Sequence, residues 1–165
     1  MLFRSIKIVN LLPELLGTYG DHGNVATLSW RLSQRGIAHQ VIEASAFDSL
    51  PNDGDFYLLG GGEDDAQIAA VELLRKQDTL NNVVKNGAQI FAVCAGFQLL
   101  GECFPASEGR TIKGLDLLPI ITESASPRSV GELLLDSTIG IGELSGFENH
   151  AGQTKFTEDR KSTRL

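Results

Sequence analysis

One cysteine stands where an α/β domain would place a catalytic nucleophile. Cys94 follows the apolar segment Gln89–Val93 and precedes two small residues, Ala95 and Gly96, after which a helical pattern starts at Phe97. A strand, a nucleophile, small residues and a helix form the layout of a nucleophile elbow, whose sharp turn lifts the side chain out of the sheet edge. The helix directs its N–H groups and positive dipole end at the sulfur, which favours the reactive thiolate. Cys94 is therefore the predicted nucleophile.

A glycine-rich loop is the second part of the predicted site. Gly60, Gly61 and Gly62 come directly after an apolar strand. The carboxyl ends of parallel strands meet at one edge of a sheet, where ligands bind. We therefore expect this loop to lie beside Cys94, with the N–H groups of Gly61 and Ala95 as the oxyanion-hole donors and the two flanking glycines as supporting residues.

The alternative for Cys94 is an inert cysteine buried at the end of a strand. The small residues, the following helix and the glycine loop at the same sheet edge favour the nucleophile. Cys103, beside Phe104 and Pro105, is instead predicted to pack in the core. Two cysteines make neither a disulfide framework nor a zinc site, so no metal site is predicted. A thiol that must stay reduced fits a cytoplasmic protein.

The elements that position these loops alternate between strands and helices. The strands are continuously apolar, which indicates a parallel sheet with helices on both faces, an α/β fold. The first helix has Asn24 as its N-cap and Gly36 as its stop, the second begins at Asp64, and a further one ends at Gly87. The predicted strands are Ile6–Leu12, Gln40–Glu43, Phe56–Leu59 and Gln89–Val93.

After about Gly114 the pattern changes to strands without intervening helices. Leu115–Ile121 and Gly131–Leu135 are predicted strands, and Gly140–Glu148 is expected to add an antiparallel piece. The remainder is polar and charged, as in a frayed end. We therefore predict one domain over residues 1–154, incomplete at its carboxyl end, and a disordered or non-native tail over 155–165.

The bulk composition excludes several classes of function. The 165 residues carry a formal net charge of -7, which argues against binding to nucleic-acid phosphates. No apolar run is as long as a membrane span, and the first residues lack the pattern of a secretory signal. The 42% hydrophobic and 21% charged content is ordinary for a soluble globular protein.

The motifs together resemble a known family. Val93–Gly101 resembles the nucleophile segment of class I (triad) glutamine amidotransferases, within them the cobyric-acid-synthase-like branch. Leu12–Asn24, Leu59–Asp64 and Ser145–Gly152 resemble segments of the amidotransferase subunits of lipid II isoglutaminyl synthases. The similarity runs over Ile6–Thr154, and it implies a three-layer αβα, flavodoxin-like fold.

The resemblance also implies a reaction and a partner. The domain would hydrolyse L-glutamine through a thioester on Cys94 and release ammonia. A separate Mur-ligase-like synthetase, forming a heterodimer with this subunit, would use ATP and Mg²⁺ to amidate the D-glutamate α-carboxyl of the peptidoglycan stem peptide. No cofactor is implied for this subunit itself.

Two further site residues come from the resemblance. Arg128 matches the position of a substrate-binding arginine in the family, and a guanidinium can grip the α-carboxylate of glutamine bidentately. The alternative for Arg128 is a solvated loop residue. Gln98, in the motif that follows Cys94, is a supporting residue.

The catalytic base is missing from the pattern. A cysteine nucleophile needs a histidine base, itself oriented by an acid or an amide. The family supplies this histidine from a late strand, and none of His22, His39 and His150 corresponds to it. His150, which Glu148 could orient, is a weak substitute. We therefore expect the base and the third triad member beyond residue 165, and regard the chain as a fragment with little activity whose ends, 1–5 and 155–165, are foreign.

Two other functions stay open. The fold branch also allows an amidotransferase domain for corrinoid (cobyric acid) side-chain amidation. A non-catalytic docking module that keeps the elbow belongs to a different class, and selective alkylation of Cys94 over Cys103 would distinguish it from an enzyme.

Overall fold

A parallel four-stranded sheet forms the first part of the fold. The computed structural model describes residues 4–18 and 20–157. The strand order is β2-β1-β3-β4 and every neighbouring pair is parallel, which confirms the predicted α/β class. The strands are β1 (Ile6–Leu11), β2 (His39–Ala44), β3 (Phe56–Leu59) and β4 (Gln89–Ala92), and the helices are α1 (His22–Gln34), α2 (Asp64–Gln77), α3 (Thr79–Lys85) and α4 (Ala95–Leu99).

The core lies against the two central strands, β1 and β3. Val9, Leu11 and Tyr57 are fully buried there, and Val71 and Leu74 pack on them from α2. Each such side chain contributes roughly 1.5–3 kcal/mol through removal of its apolar surface from water. Strand β3 is apolar throughout and β1 departs from this only at Lys7 and Asn10, as expected where helices cover both faces of a parallel sheet.

Helix α1 begins earlier than the sequence predicts. The N-cap is Asp21, and the amide of Asn24 donates to the carbonyl of Asp21 at 2.9 Å, so the predicted cap, Asn24, lies inside the first turn. Gly20, with φ of +82°, ends the preceding turn. The predicted end at Gly36 is confirmed, since Gly36 has φ of +65° directly after the helix.

The second sheet consists of β5 (Cys103–Pro105), β6 (Thr111–Lys113), β7 (Ile120–Asp136) and β8 (Glu143–Phe156), in the order β6-β5-β7-β8. The last two strands form a long antiparallel hairpin, which confirms the expected antiparallel piece. The predicted strand at Leu115–Ile121 is wrong over Leu115–Pro119. The amides of this segment bond to the end of α4 instead, for example Leu115 N–H to the carbonyl of Leu99 at 2.8 Å.

The predicted domain boundary at residue 154 falls inside strand β8. Strand β8 continues to Phe156, and the amide of Thr157 donates to the carbonyl of Pro119 at 2.9 Å. Residues 155–157 therefore belong to the second sheet, whereas the rest of the expected tail, 158–165, lies outside the described residues. Among the helices of the described chain, none has the length and apolar character to cross a membrane.

Candidate active site

Cys94 occupies a strained turn between β4 and α4. Its backbone has φ of +54° and ψ of -119°, a conformation that residues other than glycine rarely adopt and that costs about 1–3 kcal/mol. The side chain is exposed rather than packed in the core. A strained, exposed cysteine at the carboxyl end of β4, a strand of the parallel sheet, has the geometry that the sequence predicts for the elbow.

The turn after Cys94 is bonded to the glycine loop. The amide of Gly96 donates to the carbonyl of Gly60 at 3.0 Å. A Cβ atom on Gly96 would lie 2.6 Å from the carbonyl oxygen of Leu59 and 2.8 Å from that of Gly60. The close approach therefore requires glycine at position 96, and it brings the predicted elbow and the predicted loop together.

The glycine loop packs against the turn that follows β1. A Cβ atom on Gly60 would lie 1.9 Å from the carbonyl oxygen of Leu16, and one on Gly62 would lie 2.6 Å from that of Leu15. Neither glycine has room for a side chain. Gly60 and Gly62 are thus required for the backbone of the loop to approach its neighbours.

The N–H of Gly61, a predicted oxyanion-hole donor, already has an acceptor. It donates to Oδ2 of Asp21 at 2.8 Å. Ala95, the other predicted donor, is the first residue of α4, where N–H groups have no acceptor within the helix. Sequence reasoning missed Asp21; an acidic residue in a glycine-rich turn, followed by a helix, was the available signal.

Gln98 takes part in a small polar cluster beside α4. Its Oε1 accepts from Nε2 of Gln67 at 3.0 Å, and Gln67 is 3% exposed. A Cβ atom on Gly152 of β8 would lie 2.8 Å from Nε2 of Gln98, so the hairpin reaches α4 at this point. A cavity of about 220 Å³ lies here, lined by both glutamines, Asp64 and Ser107 among others. It offers polar side chains to a small hydrophilic ligand.

Arg128 lies on the hairpin, exposed and bonded across it. Its Nε donates to Oδ1 of Asn149 at 2.7 Å, and its Nη2 donates to the carbonyl of Asn149 at 3.1 Å. Asn149 therefore orients the guanidinium. No hydrogen bond joins Arg128 to Cys94 in the described part of the chain.

His150 is engaged at both ring nitrogens. Nε2 lies 3.0 Å from Oε2 of Glu148, as the sequence predicts, and Nδ1 lies 2.7 Å from the carbonyl oxygen of Gly152. Neither nitrogen is free to take a proton from Cys94 in this arrangement. Of the other two histidines, His39 contacts Ser29 at 2.7 Å and His22 lies 3.5 Å from Asn10, both outside the elbow.

A carboxylate supports the turn on which the glycine loop rests. Oε1 of Glu14 accepts from the amide of Ala46 at 2.5 Å and from the hydroxyl of Ser45 at 3.0 Å. Partial burial opposes ionisation of Glu14, but these hydrogen bonds together hold the pKa of its carboxyl below the usual value. Glu14 thereby joins the turn after β1 to the segment that follows β2.

Comparison with known proteins identifies the family. Residues 7–164 match the CobB/CobQ-like glutamine amidotransferase domain. This range includes most of residues 155–165, which the sequence analysis predicts to be a disordered or non-native tail. The chain is 32% identical over 160 residues to the lipid II isoglutaminyl synthase (glutamine-hydrolyzing) subunit GatD of Streptococcus pneumoniae, a match covering 95% of this chain and 62% of that protein.

The GatD subunit of Staphylococcus aureus is 32% identical over 152 residues, with 91% of this chain and 62% of that protein covered. Cobyric acid synthase of Brucella abortus is 30% identical over 125 residues, with 71% of this chain and 26% of that protein covered. The chain thus spans less than two thirds of the length of these relatives. With the strained elbow and the glycine loop in place, the chain belongs to the CobB/CobQ-like glutamine amidotransferase domain family.

Proposed function

We propose that this chain is the glutamine-hydrolysing part of a lipid II isoglutaminyl synthase, with Cys94 as the nucleophile. The observation that carries the proposal is the turn at Cys94. The backbone of Cys94 is strained and its side chain is exposed, and the N–H of Gly96 in the same turn is hydrogen-bonded to the loop at Gly60. The two GatD subunits that share 32% identity with the chain over at least 91% of its length support this specificity.

The proposed reaction runs through two covalent steps. The thiolate of Cys94 attacks the side-chain carboxamide carbon of glutamine and forms a tetrahedral oxyanion, which the N–H of Ala95 stabilises. The C–N bond then breaks, ammonia leaves with an added proton, and a thioester remains. Water attacks the thioester, the C–S bond breaks, and glutamate and the free thiol are released.

The proton transfers need a base that neither His150 nor another described histidine supplies. We propose that the base is a group other than these histidines, in keeping with the GatD subunits extending beyond the 62% of their length that this chain matches. Arg128, held by Asn149, would bind the α-carboxylate of glutamine. The ammonia would pass to a Mur-ligase-like partner that uses ATP and Mg²⁺ to amidate a D-glutamate α-carboxyl.

Selective labelling tests the proposal. The chain is treated with a glutamine analogue that carries an electrophilic diazoketone in place of the carboxamide, and the modified peptide is identified by mass spectrometry. We expect labelling at Cys94, loss of labelling in Cys94→Ser, retention in Cys103→Ser, and protection by L-glutamine but not D-glutamine. Equal reaction of both cysteines, with no protection, would instead favour a non-catalytic docking module.

Turnover tests the missing base. We expect the purified 165-residue chain to hydrolyse little glutamine by itself. Turnover that Cys94→Ser abolishes would contradict this and would place the base within the chain.

A second candidate function is corrinoid side-chain amidation, because cobyric acid synthases share 30% identity with the chain. Their match covers 71% of the chain, whereas the match to the pneumococcal GatD subunit covers 95%. The acceptor decides between the two: ammonia from the domain, with its synthetase partner, would amidate either a D-glutamyl cell-wall precursor or a corrinoid carboxylate.

A further inference from the structure

We propose that Asp21 is a positioning residue that holds the glycine loop against the elbow of Cys94; this inference rests on the proposed function. Oδ2 of Asp21 accepts a 2.8 Å hydrogen bond from the N–H of Gly61. The two residues belong to different crossover segments, since one precedes α1 and the other follows β3. The contact therefore exists only when the sheet is assembled.

The carboxylate of Asp21 does not serve its own helix. Asp21 is the N-cap of α1, a position where aspartate ordinarily accepts a hydrogen bond from an N–H of the first turn. Asp21 makes no such bond. Because its oxygen is directed to Gly61 instead, the residue acts on the loop rather than on the helix start.

The contact is close on both sides. A Cβ atom on Gly60 would lie 2.6 Å from Cγ and 2.7 Å from Cβ of Asp21. The carbonyl of the same glycine accepts from the N–H of Gly96 at 3.0 Å. A continuous path of two hydrogen bonds and one peptide unit thus leads from Asp21 through Gly61 and Gly60 to Gly96, two residues after the nucleophile.

The hydrogen bond to Asp21 also determines which role the N–H of Gly61 has in this arrangement. One N–H cannot be directed at both the Asp21 carboxylate and a developing oxyanion, and two negative charges at one amide repel each other. We therefore assign the N–H of Gly61 to loop placement and the oxyanion to Ala95, in place of the pair of donors that the sequence suggested. If Asp21 instead blocked an oxyanion donor, its removal would increase reactivity at Cys94.

Labelling rates in the full chain separate these roles. Reaction of Cys94 with the diazoketone analogue of glutamine is compared with its reaction with iodoacetamide, which requires no oxyanion stabilisation. We expect Asp21→Ala to slow the analogue reaction about tenfold and to change the iodoacetamide reaction little. Asp21→Asn, which keeps an acceptor oxygen of the same reach, should recover most of the rate. Asp65→Ala, which removes an exposed acid from the first turn of α2, is the matched control.

Amide hydrogen exchange gives a readout that does not depend on chemistry at the thiol. We expect Asp21→Ala to speed exchange at both Gly61 and Gly96, with no such change in Asp65→Ala. Unchanged or faster analogue labelling in Asp21→Ala, or unchanged exchange at Gly96, would overturn the inference. Wild-type chain that shows no selective analogue labelling would refute the proposed function instead, and the exchange result would still decide the positioning role.

Discussion

The amide of Gly96 donates a 3.0 Å hydrogen bond to the carbonyl of Gly60, and this bond joins the turn after Cys94 to the loop after the neighbouring strand. It continues the pairing of β3 with β4, in which the amide of Val93 donates to the carbonyl of Leu59 at 3.0 Å. The sheet ladder therefore extends past the strands and fixes the elbow.

Adding a methyl group at Gly96 should break this arrangement. In Gly96→Ala the new Cβ would meet two carbonyl oxygens, those of Leu59 and Gly60, at less than 3 Å, and backbone cannot move away cheaply. We expect the free energy of unfolding, measured by urea denaturation, to fall by about 1–3 kcal/mol. Gly131→Ala on the hairpin, where nothing lies within 4 Å of the new methyl group, is the control. Equal stability of the two variants would contradict the packing argument.

The strain at Cys94 should be visible in stability. Glycine adopts a φ of +54° without the steric conflict of a Cβ atom. We therefore expect the free energy of unfolding of Cys94→Gly to exceed that of Cys94→Ala by about 1 kcal/mol. At Ser33, an exposed position inside α1, the same pair of substitutions should rank in the opposite order. Thermal or urea unfolding of the four variants measures both differences, and alanine more stable than glycine at position 94 would refute the strain.

The hydrogen bonds of Glu14 should make stability depend on pH. In the folded protein the pKa of the Glu14 carboxyl lies below its ordinary value of 4.5, so the folded state favours the carboxylate. The stabilisation is present above pH 4.5 and is lost as the pH falls through the folded pKa. We expect Glu14→Gln to lower the free energy of unfolding at pH 7 and to differ less from wild type near pH 3. The explanation would be wrong if the difference in free energy of unfolding between Glu14→Gln and wild type stayed constant with pH. It would also be wrong if Glu72→Gln showed the same pH-dependent difference.

Arg128 should matter for substrate affinity more than for folding. If its guanidinium grips the α-carboxylate of glutamine in two parallel hydrogen bonds, Arg128→Lys keeps the charge but loses the paired geometry. We expect KM for glutamine in the complete enzyme to rise about tenfold, a loss of about 1.4 kcal/mol, with a smaller change in kcat. Arg31→Lys, on the exposed surface of α1, should leave KM unchanged. An unaffected KM in Arg128→Lys would return Arg128 to the role of a solvated residue.

Local patterns predicted the parts of the site that local geometry determines. An apolar strand, Cys94, two small residues and a helix can follow one another only through a sharp turn, and the glycines at positions 60 to 62 permit a close backbone approach that larger residues forbid. Because parallel strands end at a common edge, the sequence also predicted that these two loops meet. The strained φ of Cys94 and the contact of Gly96 with Gly60 confirm that geometry.

Tertiary contacts decided the rest. The bond from Gly61 to Asp21 joins residues on two different crossovers, and no local signal separates a cap that serves its own helix from one that reaches another loop. The apolar segment Leu115–Pro119 has the composition of a strand. Its amides donate instead to carbonyls at the end of α4, which have no partner within the helix. The sequence by itself determined the turn at Cys94 and the glycine loop, since steric limits on each residue act locally. Only the assembled fold determined which carboxylate accepts the hydrogen bond of the Gly61 N–H, because a bond between distant segments depends on where the whole fold places them.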